Sequence, residues 1–168
     1  MASLDTLRVL VADDNRNMRT IVMVLLKGLG VVHIRAAQDG GQALKVLDDW
    51  GADVAIVDFR MEPMDGVTFI QKVRTDPNSK NPFLPIIMLT GYAEKGRVLE
   101  ARDAGVTEMM IKPVTAKALV ARLNAVIFNP RPFVRTTTYF GPDRRRRHDP
   151  DYVGLERRKG QTLTQALD

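Results

Sequence analysis

The sequence predicts an α/β protein: a doubly wound, five-stranded parallel sheet with helices on both faces, followed by a basic extension that lacks an apolar period. Three observations predict it. Between residues 7 and 128, short apolar runs rich in β-branched residues alternate with amphipathic stretches of helical spacing, the pattern of parallel strands joined by crossover helices. The strand runs are almost continuously apolar, as strands covered on both faces are. Carboxylate, hydroxyl and ammonium groups also stand directly after several of these runs, at the sheet edge where such folds bind ligands.

The strands are expected at 7–11, 31–35, 54–57, 86–89 and 108–111. After the first, Met18, Ile21, Val22, Leu25, Leu26 and Leu29 recur at three- and four-residue steps and form one helix face, with Gly28 or Gly30 as its stop. The second helix carries Ala43, Leu44, Leu47 and Trp50 and stops at Gly51. Phe69, Ile70 and Val73 mark the third, and Val98 and Ala101 the fourth, which precedes Gly105. The last helix starts after Thr115, a good N-cap residue, presents Leu119, Leu123, Val126 and Ile127, and ends near Asn129-Pro130.

A chain of 168 residues, 45% hydrophobic, suffices for one compact core. No run reaches the roughly 18 apolar residues of a membrane span, and the segment from Met1 to Asp5 has no signal-peptide character, so a cytoplasmic protein without membrane insertion is expected. Cysteine is absent, which excludes disulfides and thiolate chemistry. Two histidines, His33 and His148, are too few for an ordinary zinc site, so any metal should be bound by oxygen.

The first strand run is followed by Asp13-Asp14, the third by Asp58, the fourth by Thr90 and the fifth by Lys112-Pro113. Each has an ordinary explanation alone, as a helix cap or a strand exit. Together they place three carboxylates at one edge, which would repel one another unless a hard cation such as Mg²⁺ sat among them. The neighbouring lysine and hydroxyl complete a cradle for a phosphoryl group.

Over about residues 5–128 these motifs resemble the response-regulator receiver domain, with its CheY-like, flavodoxin-like fold. The resemblance implies a receiver over 1–128, with Asp58 as phospho-acceptor attacking a phosphohistidine on a histidine kinase or phosphotransfer protein. It further implies Mg²⁺ held by Asp14, by Asp13 through water, by Asp58 and by the backbone carbonyl of Arg60. Lys112 would pair with phosphoryl oxygens, Thr90 would act as the switch hydroxyl, and the Lys112-Pro113 bond would be cis. No turnover of a separate substrate is expected, and hence no enzyme. Two positions depart from the family pattern. Met109 occupies the place of the usual aromatic switch residue, for which Tyr92 is a possible substitute, and the loop reads Met61-Glu62-Pro63-Met64-Asp65-Gly66, with its proline displaced by one.

The net charge of +5 resides mostly in the extension: residues 129–168 hold nine of the 25 Lys+Arg and five of the 20 Asp+Glu. This segment is too poor in apolar residues to build a second domain and is expected to be disordered until a ligand binds, with a weak helical tendency at Thr162–Leu167. Within it a pattern occurs twice, Gly141-Pro142-Asp143-Arg144-Arg145 and Gly154-Leu155-Glu156-Arg157-Arg158. Three readings are open: a solvated tail, nonspecific attraction to RNA, DNA or an anionic membrane, and specific recognition of guanine. Guanine matches the pattern because its O6 and N7 accept from one arginine fork while its N1 and N2 hydrogens can be accepted by a carboxylate. Tyr139 or Tyr152 would add a ring face, and the glycines would let the backbone approach.

The doubled pattern resembles the arginine-rich extension of the CheY-like cyclic di-GMP effectors, the Cle proteins, which act on the bacterial flagellar motor. That resemblance implies cyclic di-GMP as ligand, about two per chain, contacting Asp143, Arg144, Arg145, Arg157 and Arg158, with Glu156 in the matching acidic place. Arg146, Arg147, Asp149 and Tyr152 are further candidates. The implied partner is a flagellar motor switch protein, with recruitment to the flagellar base.

Overall fold

In the computed structural model, which describes residues 3–91, 95–145 and 161–163, five strands form a parallel sheet in the order β2-β1-β3-β4-β5. The strands are β1 (Arg8–Ala12), β2 (His33–Ala37), β3 (Val54–Asp58), β4 (Ile86–Thr90) and β5 (Glu108–Ile111). They alternate with α1 (Arg16–Gly28), α2 (Gly40–Asp49), α3 (Gly66–Thr75), α4 (Lys95–Ala104) and α5 (Ala116–Phe128). The fold class is the one the sequence predicts. Two apolar layers sandwich the sheet. Leu10, Phe69, Ile70 and Ile86 pack with α2, α3 and α4, while Val9, Val22, Leu26, Leu119 and Leu123 pack with α1 and α5.

The helix ends explain why β2 begins two residues later than the apolar run suggests. Gly30 takes φ 94°, its N–H donates to Lys27 O and the N–H of Val31 donates to Leu26 O. Val31 thus completes the glycine-closed end of α1 and cannot start the strand. Gly105 (φ 103°) closes α4 in the same way, through Gly105 N–H to Arg102 O and Val106 N–H to Ala101 O. The first helix is capped by Asn15, whose side chain accepts from the N–H groups of Asn17 and Met18, so Asp13 and Asp14 are not its cap. Thr115 caps α5 as expected, accepting from Ala118 N–H.

The expectation that the chain lacks structure beyond Pro130 does not hold for its first part. Phe133–Arg135 (β6) and Phe140–Pro142 (β7) pair antiparallel, and Gln161–Leu163 (β8) pairs with the other side of β6. Thr162 and Leu163 are therefore in a strand and not in the helix expected from Thr162 onward. Phe133, Val134, Tyr139 and Phe140 are buried. The Phe133 and Phe140 rings meet Phe83 at centroid distances of 5.0 and 5.3 Å. This hairpin lies on the loops that precede β4 and β5, the edge opposite the carboxyl ends of the strands.

Beneath it sits Arg74, 3% exposed. Its Nε donates to Gly105 O, its Nη1 to Pro82 O and its Nη2 to Thr107 Oγ1, and its guanidinium lies 4.9 Å from the Phe133 ring centroid. Burial pulls its pKa down to about 9, which is still above neutral pH, and the side chain remains a cation with each of its three nitrogens donating to an oxygen. Gly105 and Gly141 let the two parts touch. A Cβ on Gly141 would stand 2.5 Å from Tyr139 Oη and 2.9 Å from Gly105 Cα.

Candidate functional site

The carboxyl edge of the sheet gathers Asp13 just past β1, Asp58 as the last residue of β3, Thr90 as the last residue of β4 and Lys112 just past β5. Parallel pairing in register sets them there: Asp58 aligns with Leu89, and Thr90 with Ile111. Lys112 N–H donates to Thr90 O at 2.8 Å, which continues the β4–β5 ladder and aims the lysine back over the edge. The Lys112-Pro113 bond is cis, as the resemblance implied, and so is Glu62-Pro63.

Lys112 Nζ lies 2.8 Å from Asp58 Oδ1 and 3.3 Å from Asp13 Oδ2. Asp13, Asp58 and Thr90 are buried, whereas Asp14 is exposed. Oxygens of Asp13, Asp14 and Asp58 all lie within 4.8 Å of one another. Burial raises the Asp58 pKa above its usual range and the charges of Asp13 and Asp14 push the same way, opposed by the hydrogen bond and charge of Lys112. Burial alone would lower the Lys112 pKa, but its contacts with Asp58 and Asp13 outweigh it and the net shift is upward. One lysine against three carboxylates leaves negative charge uncompensated, and every available donor is a hard oxygen. This set fits Mg²⁺ and does not fit a thiolate- or imidazole-seeking metal.

Beside this cluster, at the β3–α3 loop, Arg60, Met61, Glu62 and Asp65 line with Asp14 a cleft of about 750 Å³. Gly66 permits the close approach of α3. A Cβ there would run into Asp58 O, so any side chain would displace β3 or the helix start.

These residues settle the family. Residues 9–124 match the response regulator receiver domain. The chain belongs to the response-regulator receiver family. It is 33% identical over 120 residues to the chemotaxis protein CheY of Pseudomonas aeruginosa, a match spanning 71% of this chain and 95% of that protein. It is 34% identical to CheY-3 of Vibrio cholerae over 71% of this chain and 91% of the relative. Among solved structures, CheY4 of Vibrio cholerae superposes with a TM-score of 0.65 at 31% identity, covering 72% of this chain and 98% of that one. The receiver match ends before the hairpin begins.

Met109, at the place of the usual switch aromatic, is only partly buried on β5, and its backbone oxygen accepts from Arg122 Nε at 2.8 Å. Tyr92 lies outside the described residues. So do Arg146, Arg147, Asp149, Tyr152, Glu156, Arg157 and Arg158, hence the whole second copy of the repeated pattern. The first copy is described. Gly141 is accounted for by its packing on Gly105 and Tyr139, and the Asp143 carboxylate accepts from the N–H of Arg145 in a local turn. Arg144 stacks on Tyr139 with 4.3 Å to the ring centroid, and Arg145 is exposed.

Three contributors were missed by sequence reasoning. Arg131 joins the extension to the receiver, its Nη1 donating to Asp143 O at 2.8 Å and its Nη2 to Thr107 O. Asp103 pairs with Arg144, and Arg74 anchors the hairpin. Arg131 and Asp103 carry no local mark, and Arg74 has only its place on the buried face of α3; the groups that receive them lie outside their own elements.

Proposed function

We propose that this protein is a phosphoryl-accepting response regulator of chemotaxis-type signalling whose basic extension binds cyclic di-GMP, and that the liganded form docks on a flagellar motor switch protein. The observation that carries the first half is the Lys112–Asp58–Asp13 contact at the carboxyl edge of the sheet. In this reading an Asp58 oxygen attacks the phosphorus of a phosphohistidine. The new P–O bond forms as the P–N bond breaks, and the imidazole leaves with the electron pair. Lys112 then exchanges its contact with the Asp58 carboxylate for one with a phosphoryl oxygen, and the Thr90 hydroxyl donates to another. Asp13, Asp14, Asp58 and the Arg60 carbonyl would hold Mg²⁺, whose chemistry here is to offset the charge gathered on the phosphoryl oxygens.

For the second half the support is the arginines themselves. Arg144 lies over an aromatic ring, with its Cζ 4.3 Å from the Tyr139 centroid, and Arg145 beside it is exposed. Gly141 needs no ligand to explain it, so the guanine reading rests on the arginine pairs and the matching acids. The names of the CheY relatives supply the chemotaxis context.

Two measurements test the proposal. Acetyl phosphate with Mg²⁺ should add one phosphoryl group to the protein and none to Asp58→Asn; labelling of the variant would overturn the assignment. Calorimetric titration of cyclic di-GMP at physiological salt should show selective binding near two per chain, lost in the Arg144→Ala/Arg145→Ala variant. Binding that is equal for GTP, cyclic di-AMP and mixed RNA, and that collapses as salt rises, would instead identify the extension as a general polyanion binder.

A further inference from the structure

The two arginines of the first pattern differ in exposure. Arg145 is exposed; Arg144 is half-buried against the receiver, its Nη1 2.8 Å from Asp103 Oδ1, in the last turn of α4, and its Cζ 4.3 Å from the Tyr139 ring centroid. Tyr139 is fixed from below, because its hydroxyl donates to Pro142 O. The Arg144 side chain also lines a cavity of about 100 Å³ together with Val98, Met109 and Arg131. An exposed carboxylate at a helix C-terminus is locally unfavourable, since the orphan carbonyls there are already negative, and a guanidinium arriving from the extension offsets this.

The contact is also incomplete. Asp103 Oδ1 is shared with Arg102, at 3.2 Å, and Arg144 Nε is enclosed with no acceptor among the described residues. A ligand offering two acceptors would satisfy that guanidinium better than Asp103 does.

Resting on the nucleotide reading above, we propose that Asp103 is a competitor built into the receiver: it occupies Arg144 in the place an anionic or guanine-edge acceptor of a cyclic dinucleotide would take. Ligand binding then breaks the Arg144–Asp103 pair, the guanidinium turning on the Tyr139 ring, and removes this tie between the last turn of α4 and the extension, leaving the packing of Gly105 on Gly141 in place. By linkage, any event in the receiver that draws α4 away from Arg144 strengthens ligand binding by the same factor.

The test is calorimetric titration of cyclic di-GMP into the full chain, its Asp103→Asn variant and Glu100→Gln, which makes the same charge change on an exposed residue of the same helix. Asp103→Asn should bind about two- to fivefold more tightly, the range of an exposed ion pair, with Glu100→Gln unchanged. Equal gains in both variants would reduce the effect to net charge, and no gain would overturn the competition. Weaker binding would make Asp103 a member of the ligand site and overturn it too. If none of the three proteins binds cyclic di-GMP, the nucleotide reading and the competition fail together. The resting contact is then judged separately by the NMR signal of Arg144 Nε–H without ligand, which should shift and exchange faster in Asp103→Asn; an unchanged signal would refute the contact itself.

Discussion

Gly141→Ala is the substitution that best separates a structural from a ligand-binding extension, because the same glycine opens the repeated basic pattern and packs against the receiver. The added methyl would stand 2.5 Å from Tyr139 Oη, 2.9 Å from Tyr139 Cζ and 2.9 Å from Gly105 Cα. The Gly105 contact is with backbone, and Tyr139 is pinned by its hydrogen bond to Pro142 O, so neither side can yield without loss. Overpacking of this kind costs about 1–3 kcal/mol. Restricting the unfolded chain returns roughly 0.4–1 kcal/mol. The net expectation is a loss of up to roughly 2.6 kcal/mol, with a central value of about 1.3 kcal/mol, or about 3–5 °C in melting temperature for a chain of this size. Urea unfolding followed by far-UV circular dichroism, with a thermal melt alongside, measures it. A variant as stable as the parent but deficient in cyclic di-GMP binding would refute the packing argument and return the glycine to the ligand.

Three further outcomes follow from the two ends of the sheet. Asp58→Asn removes a carboxylate whose pKa is raised above 3.8 chiefly by burial, and leaves Lys112 its contact with Asp13. A raised carboxyl pKa means the folded state binds the proton more tightly than the unfolded state. The penalty is therefore full above the folded pKa and relieved as pH falls toward 3.8. Without Mg²⁺ the variant should be the more stable protein at neutral pH, with a margin that narrows on acidification; a margin that widens would contradict this. Adding Mg²⁺ at about ten times its dissociation constant should stabilise the parent by roughly 1.4 kcal/mol in thermal melts and leave Asp13→Asn unchanged. Arg74→Lys keeps the charge but cannot reach Gly105 O, Pro82 O and Thr107 Oγ1 at once, and should lose about 2–4 kcal/mol in urea unfolding.

The parallel sheet was legible because its strands are buried on both faces and its helices carry their apolar residues at the period of the backbone. The acidic edge was legible for a related reason: the rule that strands end at the ligand makes position after a strand informative, and Asp13, Asp58, Thr90 and Lys112 all obey it. The hairpin was not. Its strands β6 and β7 are three residues each, and its four buried side chains, Phe133, Val134, Tyr139 and Phe140, are separated by a polar turn through Thr136–Thr138. They show no period because their burial comes from Phe83, Gly105 and Arg74. Arg74 likewise reads as a surface residue until the carbonyls that receive it are in place, although it follows Ile70 by one helical turn on the buried face of α3.

The two ends of the molecule share one element. The helix α4 begins just beyond Thr90 and Gly91 on the acidic side and ends at Gly105, against the hairpin. Near its start Arg97 lies 5.4 Å from the ring of Phe59, the residue after Asp58, and near its end Asp103 pairs with Arg144. Between them it is held weakly. Ala101 and Ala104 are the only residues of α4 that are buried among those described, while Val98 and Leu99 are 39% and 38% exposed. Two alanine side chains bury little apolar area, so a small displacement of this helix costs far less than one of α3, which buries Phe69, Ile70 and Val73. A receiver that lacks the switch aromatic on β5 therefore retains a movable part between its acidic edge and its basic extension. The coupling free energy between phosphorylation at Asp58 and ligand binding at Arg144 should be carried by α4. Phosphoryl-mimicking conditions should then change cyclic di-GMP affinity in the parent and leave it unchanged in Asp103→Asn, where the helix no longer holds the arginine.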